Sequence, residues 1–321
     1  MRTEEIKLYD NREDVTLTTY ILHNSPEIHT DMKRPAVLVC PGGAYLSCSD
    51  REAEPIALAF ATMGYQAFVL RYSVFGGNGF ELMRKGVKPE PNPDKNHPAP
   101  MREIGMALAM IKEHSEDWFV DPDRVAICGF SAGAHNCAMY STYWDKPVIT
   151  DYVGKDKELL RPAACILGYC LSDYVFMEKN AATASPMDVE FFKFSNSAFL
   201  GTEDFTEKLL MEVSPALHVS ENTPPTYLWA TAADNLVPVQ HSLRYAHALA
   251  DHKIPFEMHI FEEGMHGLAL STQLTADSQT QNLPDAAKWV PLCDAWLKKR
   301  FAYDLPEKSA FEAMVADGVS F

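Results

Sequence analysis

The sequence predicts an α/β fold built on a mostly parallel, eight-stranded sheet with helices on both faces. Three observations lead there. Short, nearly continuous apolar runs recur along the chain, the pattern of strands buried on both faces. Segments of helical periodicity separate these runs. An alternating, β-branched stretch precedes the first of them.

The elements follow in chain order. Residues 4–23 alternate and end in Val15-Thr16-Leu17-Thr18-Thr19-Tyr20-Ile21-Leu22, an opening antiparallel pair. Ala36–Cys40 is the first buried strand. The apolar stretch from Ile56 to Tyr72 is broken by Gly64, Tyr65 and Gln66, so it divides into a helix and a strand, Gln66–Tyr72, rather than a membrane span. Ile104, Leu108 and Ile111 mark one face of a helix near residues 101–114. Val125–Cys128, Ala164–Tyr169, Thr226–Thr231 and Phe256–Phe261 supply the remaining strands. Ala132–Trp144, Val239–His252 and Ala286–Lys299 supply further helices. This alternation predicts a sheet covered on both sides.

Two stretches break the rhythm. Residues 73–98 carry Gly76-Gly77-Asn78-Gly79 and then Pro89, Pro91, Pro93 and Pro98. Residues 172–225 are polar and aromatic, with Phe191, Phe192, Phe194, Phe199 and Phe205. Loops this long inside a compact domain usually serve a site, so both are expected to form lid or cap segments. Residues 302–321 read as a tail with a short helix at Ser309–Ala316. The expected organisation is one domain over residues 1–321.

Composition bounds the function. A chain of 321 residues buries roughly three quarters of its unfolded surface, enough for a large core. Apolar residues make up 47% and charged residues 22%, which excludes a disordered, collagen-like or coiled-coil chain. Twenty-eight basic against 44 acidic side chains leave a net charge of −16, which repels phosphate backbones and argues against a nucleic-acid partner. The seven cysteines include no C-x-x-C pair and sit mostly in apolar runs such as Val37-Leu38-Val39-Cys40, as buried free thiols in a reducing compartment do. Met1-Arg2-Thr3-Glu4-Glu5 leads into no apolar run, so neither a signal peptide nor a membrane anchor is expected, and a cytoplasmic location is. Oligomeric state is not set by composition; a homodimer is compatible with it.

The chemistry centres on Cys128-Gly129-Phe130-Ser131-Ala132-Gly133-Ala134. A bare G-x-S-x-G arises by chance in roughly one chain in ten of this length at average residue usage. Here a buried strand precedes it and a helix follows, the setting of a nucleophile elbow. That turn holds Ser131 in a strained conformation above the strand ends. The flanking glycines keep side chains away from the neighbouring strand and helix. The Ala132 amide, at the helix N-terminus, can donate to a developing oxyanion.

A serine hydroxyl needs a base, and the base needs an orienting carboxylate. Strand Thr226–Thr231 runs into Ala232-Ala233-Asp234-Asn235-Leu236, and strand Phe256–Phe261 into Glu262-Glu263-Gly264-Met265-His266. Asp234 and His266 thus both follow strand ends, where ligands bind in open α/β sheets, and the order Ser, Asp, His is that of the elbow-bearing hydrolases. Asp151, Asp173 and Asp204 do not end the strand before the histidine strand. His97, His241 and His259 lack strand-end context, and His135 is placed to pack under the elbow. Strand Ala36–Cys40 runs into Pro41-Gly42-Gly43-Ala44-Tyr45, placed to offer the Gly43 and Ala44 amides as further oxyanion donors. Tyr45, Leu46, Leu236 and Met265 flank these residues and are candidate pocket walls. No metal-ligand spacing is present, and no G-x-G-x-x-G follows a strand, so no metal or nucleotide cofactor is expected.

These residues resemble an α/β-hydrolase of the esterase/lipase kind, close to the acetyl esterases and hormone-sensitive-lipase-like carboxylesterases. The narrower likeness is to acetyl-xylan and feruloyl esterase-related enzymes. It rests on Pro41-Gly42-Gly43-Ala44-Tyr45, Arg51-Glu52-Ala53-Glu54-Pro55-Ile56-Ala57, Gly64-Tyr65, Leu70-Arg71-Tyr72, His97-Pro98-Ala99-Pro100, the elbow and His266-Gly267. Where related lipases carry H-G-G-G, this chain has Pro41-Gly42-Gly43-Ala44. The resemblance implies a serine carboxylesterase with Ser131, Asp234 and His266 as triad and a small-molecule ester as substrate. Short soluble esters, such as acetylated or feruloylated oligosaccharides, fit a chain without a leader better than polymeric xylan. Three alternatives share the residues: a serine peptidase of the prolyl-oligopeptidase type, a non-catalytic binding protein on the same scaffold, and an acyltransferase.

Overall fold

A computed structural model describes residues 1–25, 32–76, 79–180, 185–303, 305–309 and 312. The helix expected at Ser309–Ala316 falls largely outside the described residues, as do parts of both insertions. Eight strands form one sheet: β1 (Arg2–Lys7), β2 (Thr16–Ile21), β3 (Arg34–Cys40), β4 (Gln66–Arg71), β5 (Val120–Phe130), β6 (Ala164–Gly168), β7 (Thr226–Thr231) and β8 (Phe256–Phe261). Their order is β1-β2-β4-β3-β5-β6-β7-β8. β1 pairs with β2 and β2 with β4 antiparallel. All the other pairings are parallel. The expected α/β class, strand number and opening antiparallel pair are all present.

The two-sided burial read from the sequence has a direct structural cause. Side chains alternate across a strand, and β3 sends Ala36, Leu38 and Cys40 into one core and Val37 and Val39 into the other. β5 divides in the same way, with Val125 and Ile127 on one face and Ala126, Cys128 and Phe130 on the opposite one. The first core is covered by helices including α3 (Ala99–Glu113), α4 (Ala132–Tyr143) and α10 (Gln240–Asp251). The second is closed by α1 (Glu54–Thr62) and α11 (Trp289–Phe301), where Trp229 of β7 stacks on Trp289 with ring centroids 5.1 Å apart. All seven cysteines are free, and six of them are buried. No helix among the described residues is long and apolar enough to cross a membrane.

The stretches expected as loops contain helices. Residues 73–98 hold α2 (Gly79–Arg84); residues 172–225 hold α7 (Tyr174–Asn180), α8 (Pro186–Leu200) and α9 (Glu207–Glu212). The signals of α8 are local. Ser185 caps it by accepting from the Asp188 amide, Pro186 sits at its first position, and Gly201 ends it in the left-handed conformation.

Three buried titratable groups shape the stability of this fold with pH. Burial lowers the pKa of His135 from 6.5 to about 3 and that of His241 to about 4. Each imidazole is neutral in the fold and takes up a proton on unfolding below pH 6.5, so its contribution is full above that pH and lost as pH falls. Glu103 accepts from the Ser73 amide (2.7 Å), the Ser73 hydroxyl and the Tyr9 hydroxyl (3.3 Å), yet burial dominates and raises its pKa from 4.5 to about 7. Glu103 acts in the opposite sense: its contribution is full below pH 4.5 and lost as pH rises towards 7. Between pH 4.5 and 6.5 these three groups together take up about one proton on unfolding, a slope of about 1.4 kcal/mol per pH unit. Glu103→Gln removes the opposing contribution and is expected to steepen the slope to about 2.7 kcal/mol per pH unit. Urea unfolding of both proteins at pH 5, 5.5, 6 and 6.5 checks this. An unchanged slope would mean that Glu103 is already ionised in the fold at pH 6.

Candidate active site

The turn between β5 and α4 places Ser131 at φ 52° and ψ −119°, a conformation rarely adopted by residues with a side chain. The Ser131 amide donates to the Gly168 carbonyl at the end of β6 (3.0 Å), and the His135 amide donates to the Ser131 carbonyl (2.9 Å). Both flanking glycines are sterically required. A Cβ at Gly129 would lie 2.2 Å from the Gly133 carbonyl oxygen, and one at Gly133 would lie 2.0 Å from that of Cys40. The helix therefore rests directly on the end of β3.

The loops after β7 and β8 bring Asp234 and His266 to this turn. His266 Nε2 is 2.7 Å from Ser131 Oγ, and His266 Nδ1 is 2.7 Å from Asp234 Oδ2. A carboxylate only accepts, so Nδ1 carries the proton and Nε2 is left to accept from the serine hydroxyl. The other Asp234 oxygen, Oδ1, accepts from the amides of Leu236 (3.0 Å) and Val237 (2.9 Å). The carboxylate is thus buried and fully engaged, with one oxygen ordering its own loop and the other facing the imidazole. The Tyr169 ring packs edge-on against His266, centroids 5.0 Å apart. Asp173 lies elsewhere: it accepts from the Phe176 amide (2.8 Å) and faces Arg244 (3.5 Å).

The loop after β3 faces the same serine. The amides of Gly43, Ala44 and Ala132 have no acceptor among the described residues. Around them the loop is held tightly. Glu52, buried, accepts from the Gly42 amide (2.8 Å) and from the Tyr169 hydroxyl (2.5 Å). Tyr72 donates to the Pro41 carbonyl (2.6 Å). Tyr45 bonds to His135 Nδ1 (2.7 Å), and His135 Nε2 bonds to the Val213 carbonyl (2.8 Å). A carbonyl only accepts, so Nε2 carries the proton and Nδ1 accepts from Tyr45. His135 therefore anchors the loop from beneath the elbow. Above the loop, Ser195 of α8 donates to the Ala44 carbonyl (2.8 Å), and Phe199 of α8 stacks on Tyr45 at 4.1 Å.

A cavity of about 1000 Å³ opens over Ser131 and His266. Both insertions help to wall it, through Met83, Arg84 and Lys88 from the first and Phe191, Phe192 and Asn196 from the second. Lys88 reaches across to Glu203 at 3.1 Å, joining the two insertions at the rim. Of the expected pocket walls, Tyr45 and Leu236 line the cavity, whereas Leu46 and Met265 do not. The turn at Ala44 and Tyr45, both at positive φ, carries Leu46 into full burial beside Gly79. Met265 precedes the inward-facing His266 and lies exposed, its sulfur 3.6 Å from the Thr280 hydroxyl. Glu52, Ser195 and Asn196 were not expected at the site. No group of three or more His, Cys, Asp or Glu among the described residues is arranged to hold a metal ion.

Known proteins resemble this chain both in sequence and in structure. The BD-FAE family model matches residues 24–249. An endo-1,4-beta-xylanase B of Butyrivibrio fibrisolvens is 31% identical over 78% of this chain and 34% of its own length. An acetylxylan esterase of Xylanibacter ruminicola is 24% identical over 79% of this chain and 45% of its own. The chain thus spans between a third and a half of the length of these curated relatives. Among solved structures, an acetyl ester-xyloside bifunctional hydrolase from Caldicellulosiruptor lactoaceticus superposes with a TM-score of 0.70 at 29% identity, over 93% of this chain and 96% of that one.

Proposed function

The chain belongs to the BD-FAE family, and from that membership we propose that it is a serine carboxylic-ester hydrolase acting on short-acyl esters of sugars. The observation that carries the reading is the continuous path from Ser131 through His266 to Asp234, two contacts of 2.7 Å each, at the floor of the cavity. In this mechanism Ser131 Oγ attacks the ester carbonyl while His266 Nε2 takes its proton. The amides of Gly43, Ala44 and Ala132 receive the oxyanion; they are already oriented and need no reorganisation. The tetrahedral intermediate collapses as His266 protonates the departing alcohol. Water, deprotonated by His266, then attacks the acyl-serine and releases the acid and the free serine. Asp234 orients His266 and stabilises its charged form throughout.

The alcohol and acyl classes come from the relatives and from the lining of the cavity. The named acetylxylan esterase and acetyl ester-xyloside hydrolase act, by those names, on acetylated xylose-containing material. Here the cavity rim carries Arg51, Lys88, Asp188 and Glu203, groups suited to a hydroxylated substrate. Tyr45, His135 and Tyr174 form an interlocked aromatic wall, with His135 centroids 5.8 Å from Tyr45 and 4.9 Å from Tyr174. Across a p-nitrophenyl series, acetate is expected to be turned over at least ~10-fold faster than decanoate, the scale on which pockets discriminate by a few methylenes. Release of acetate from acetylated xylobiose completes the test. A preference for acyl chains longer than about eight carbons, or no acetate released from the sugar, overturns the reading.

A further inference from the structure

Asn196 lines the cavity as a buried residue whose carboxamide bonds to nothing among the described residues. It lies two-thirds of the way along α8 and is 3% exposed. Its neighbours in sequence are both engaged, Ser195 with the Ala44 carbonyl and Ser197 with the Lys193 carbonyl. The Asn196 carboxamide has no hydrogen-bond partner among the described residues. The carboxamide is not sealed off, since the buried unpaired polar atoms of the described residues belong to Ser141, Trp229 and Tyr245; a polar group that opens onto a cavity and bonds to nothing in the fold calls for another reason.

Its position supplies that reason. Asn196 lines the cavity over Ser131, and it also lines a second chamber of about 450 Å³. Phe192 and Leu236 line both chambers as well, as do the charged residues Asp188, Lys193 and Glu203, so Asn196 stands where the two meet. Its residual exposure is to this space. A carboxamide presents two donors and two acceptor lone pairs on one rigid plane. A pair of neighbouring hydroxyls on a pyranose ring presents the complementary set.

We propose that Asn196 is a specificity-determining residue, whose carboxamide hydrogen-bonds ring hydroxyls of the sugar carrying the scissile ester. This rests on the sugar-ester reading above and adds to it a residue and a direction: the sugar extends from Ser131 along α8 towards the second chamber. A site of this kind favours a hydroxylated alcohol over an apolar one because the apolar group would leave the buried amide unpaired. The amide contributes to binding the alcohol and does not touch the acyl carbonyl, so an ester with no hydroxyls gains nothing from it.

The test compares wild type with Asn196→Leu and the nearly isosteric Asn196→Asp on three esters: a monoacetylated xylopyranoside with its remaining hydroxyls free, cyclohexyl acetate, and p-nitrophenyl acetate. Melting temperature is recorded for each protein. Both variants are expected to lose at least ~10-fold in kcat/KM on the xylopyranoside, mostly through KM, the scale of a lost hydrogen bond between substrate and a buried group. Rates on the two unhydroxylated esters should stay within about twofold. The leucine variant should melt close to wild type, because the carboxamide it removes bonds to none of the described residues. Equal losses on all three esters would show a structural role and overturn the inference. So would a xylopyranoside preference that survives both substitutions. A wild type that does not prefer the xylopyranoside to cyclohexyl acetate overturns the sugar-ester reading itself, a result visible before any variant is made.

Discussion

Ser131→Ala is expected to lower kcat on p-nitrophenyl acetate by roughly 10⁴-fold or more, the order seen when a triad nucleophile is removed. The residual rate comes from binding and from the oxyanion donors, which the substitution leaves in place. The fold should be untouched. Among the described residues the Ser131 side chain bonds to His266 alone, and its backbone bonds to Gly168 and His135 do not depend on the hydroxyl. Circular dichroism and melting temperature should therefore match wild type. Asp234→Asn separates the roles further. The asparagine can still accept from Leu236 and Val237, but its amide faces a ring nitrogen that must now accept, so Nε2 becomes the protonated atom. A loss of roughly 10⁴-fold is expected, as for the wrong tautomer in other triads. Full activity in the serine variant would place the nucleophile elsewhere.

The second large effect is structural. Gly133→Ala places a methyl 2.0 Å from the Cys40 carbonyl oxygen and 2.4 Å from that of Pro41. Neither contact can be relieved by turning a side chain, because both atoms are backbone. The helix must lift from the end of β3, or β3 must move and carry Gly43 and Ala44 with it. We expect destabilisation of at least ~3 kcal/mol, at the upper end of overpacking, read by urea unfolding. Protein that does fold should have reduced kcat, because the amides proposed to receive the oxyanion would have shifted relative to one another. A variant as stable and as active as wild type would show that α4 does not need this close approach.

What the sequence revealed, and what it hid, follows from the range of the interactions. β7 and β8 run over the residues expected: β7, buried throughout, leaves an almost uninterrupted apolar run, whereas the partly exposed edge strand β8 alternates Phe256, Met258 and Ile260 with Glu257 and His259. The serine, aspartate and histidine were readable because each follows a strand, and the sheet order then gathers strand ends together. The helices of the second insertion were missed for the opposite reason. α8 has little amphipathic contrast, since its aromatic side chains serve the cavity and the oxyanion loop as well as the core. Its caps at Ser185 and Gly201 were nevertheless visible. Leu46 and Met265 were misplaced because adjacency in sequence does not fix the side to which a turn sends a side chain. Glu52 stood out only as part of a motif, and Asn196 not at all, since their places depend on the Gly42 amide and on α8, contacts made only after the chain closes.

The bond from Ser195 to the Ala44 carbonyl gives the cap helix a consequence beyond shelter. Ala44 offers its carbonyl to α8 and its amide to the cavity. With Phe199 resting on Tyr45, α8 grips the oxyanion loop at two successive residues. The helix is thus bonded to the very backbone whose amides are proposed to receive negative charge. Removing either grip, by Ser195→Ala or Phe199→Ala, should accordingly register in turnover, whereas a change at Asn196, which holds no part of this loop, should register in how tightly a sugar ester is held.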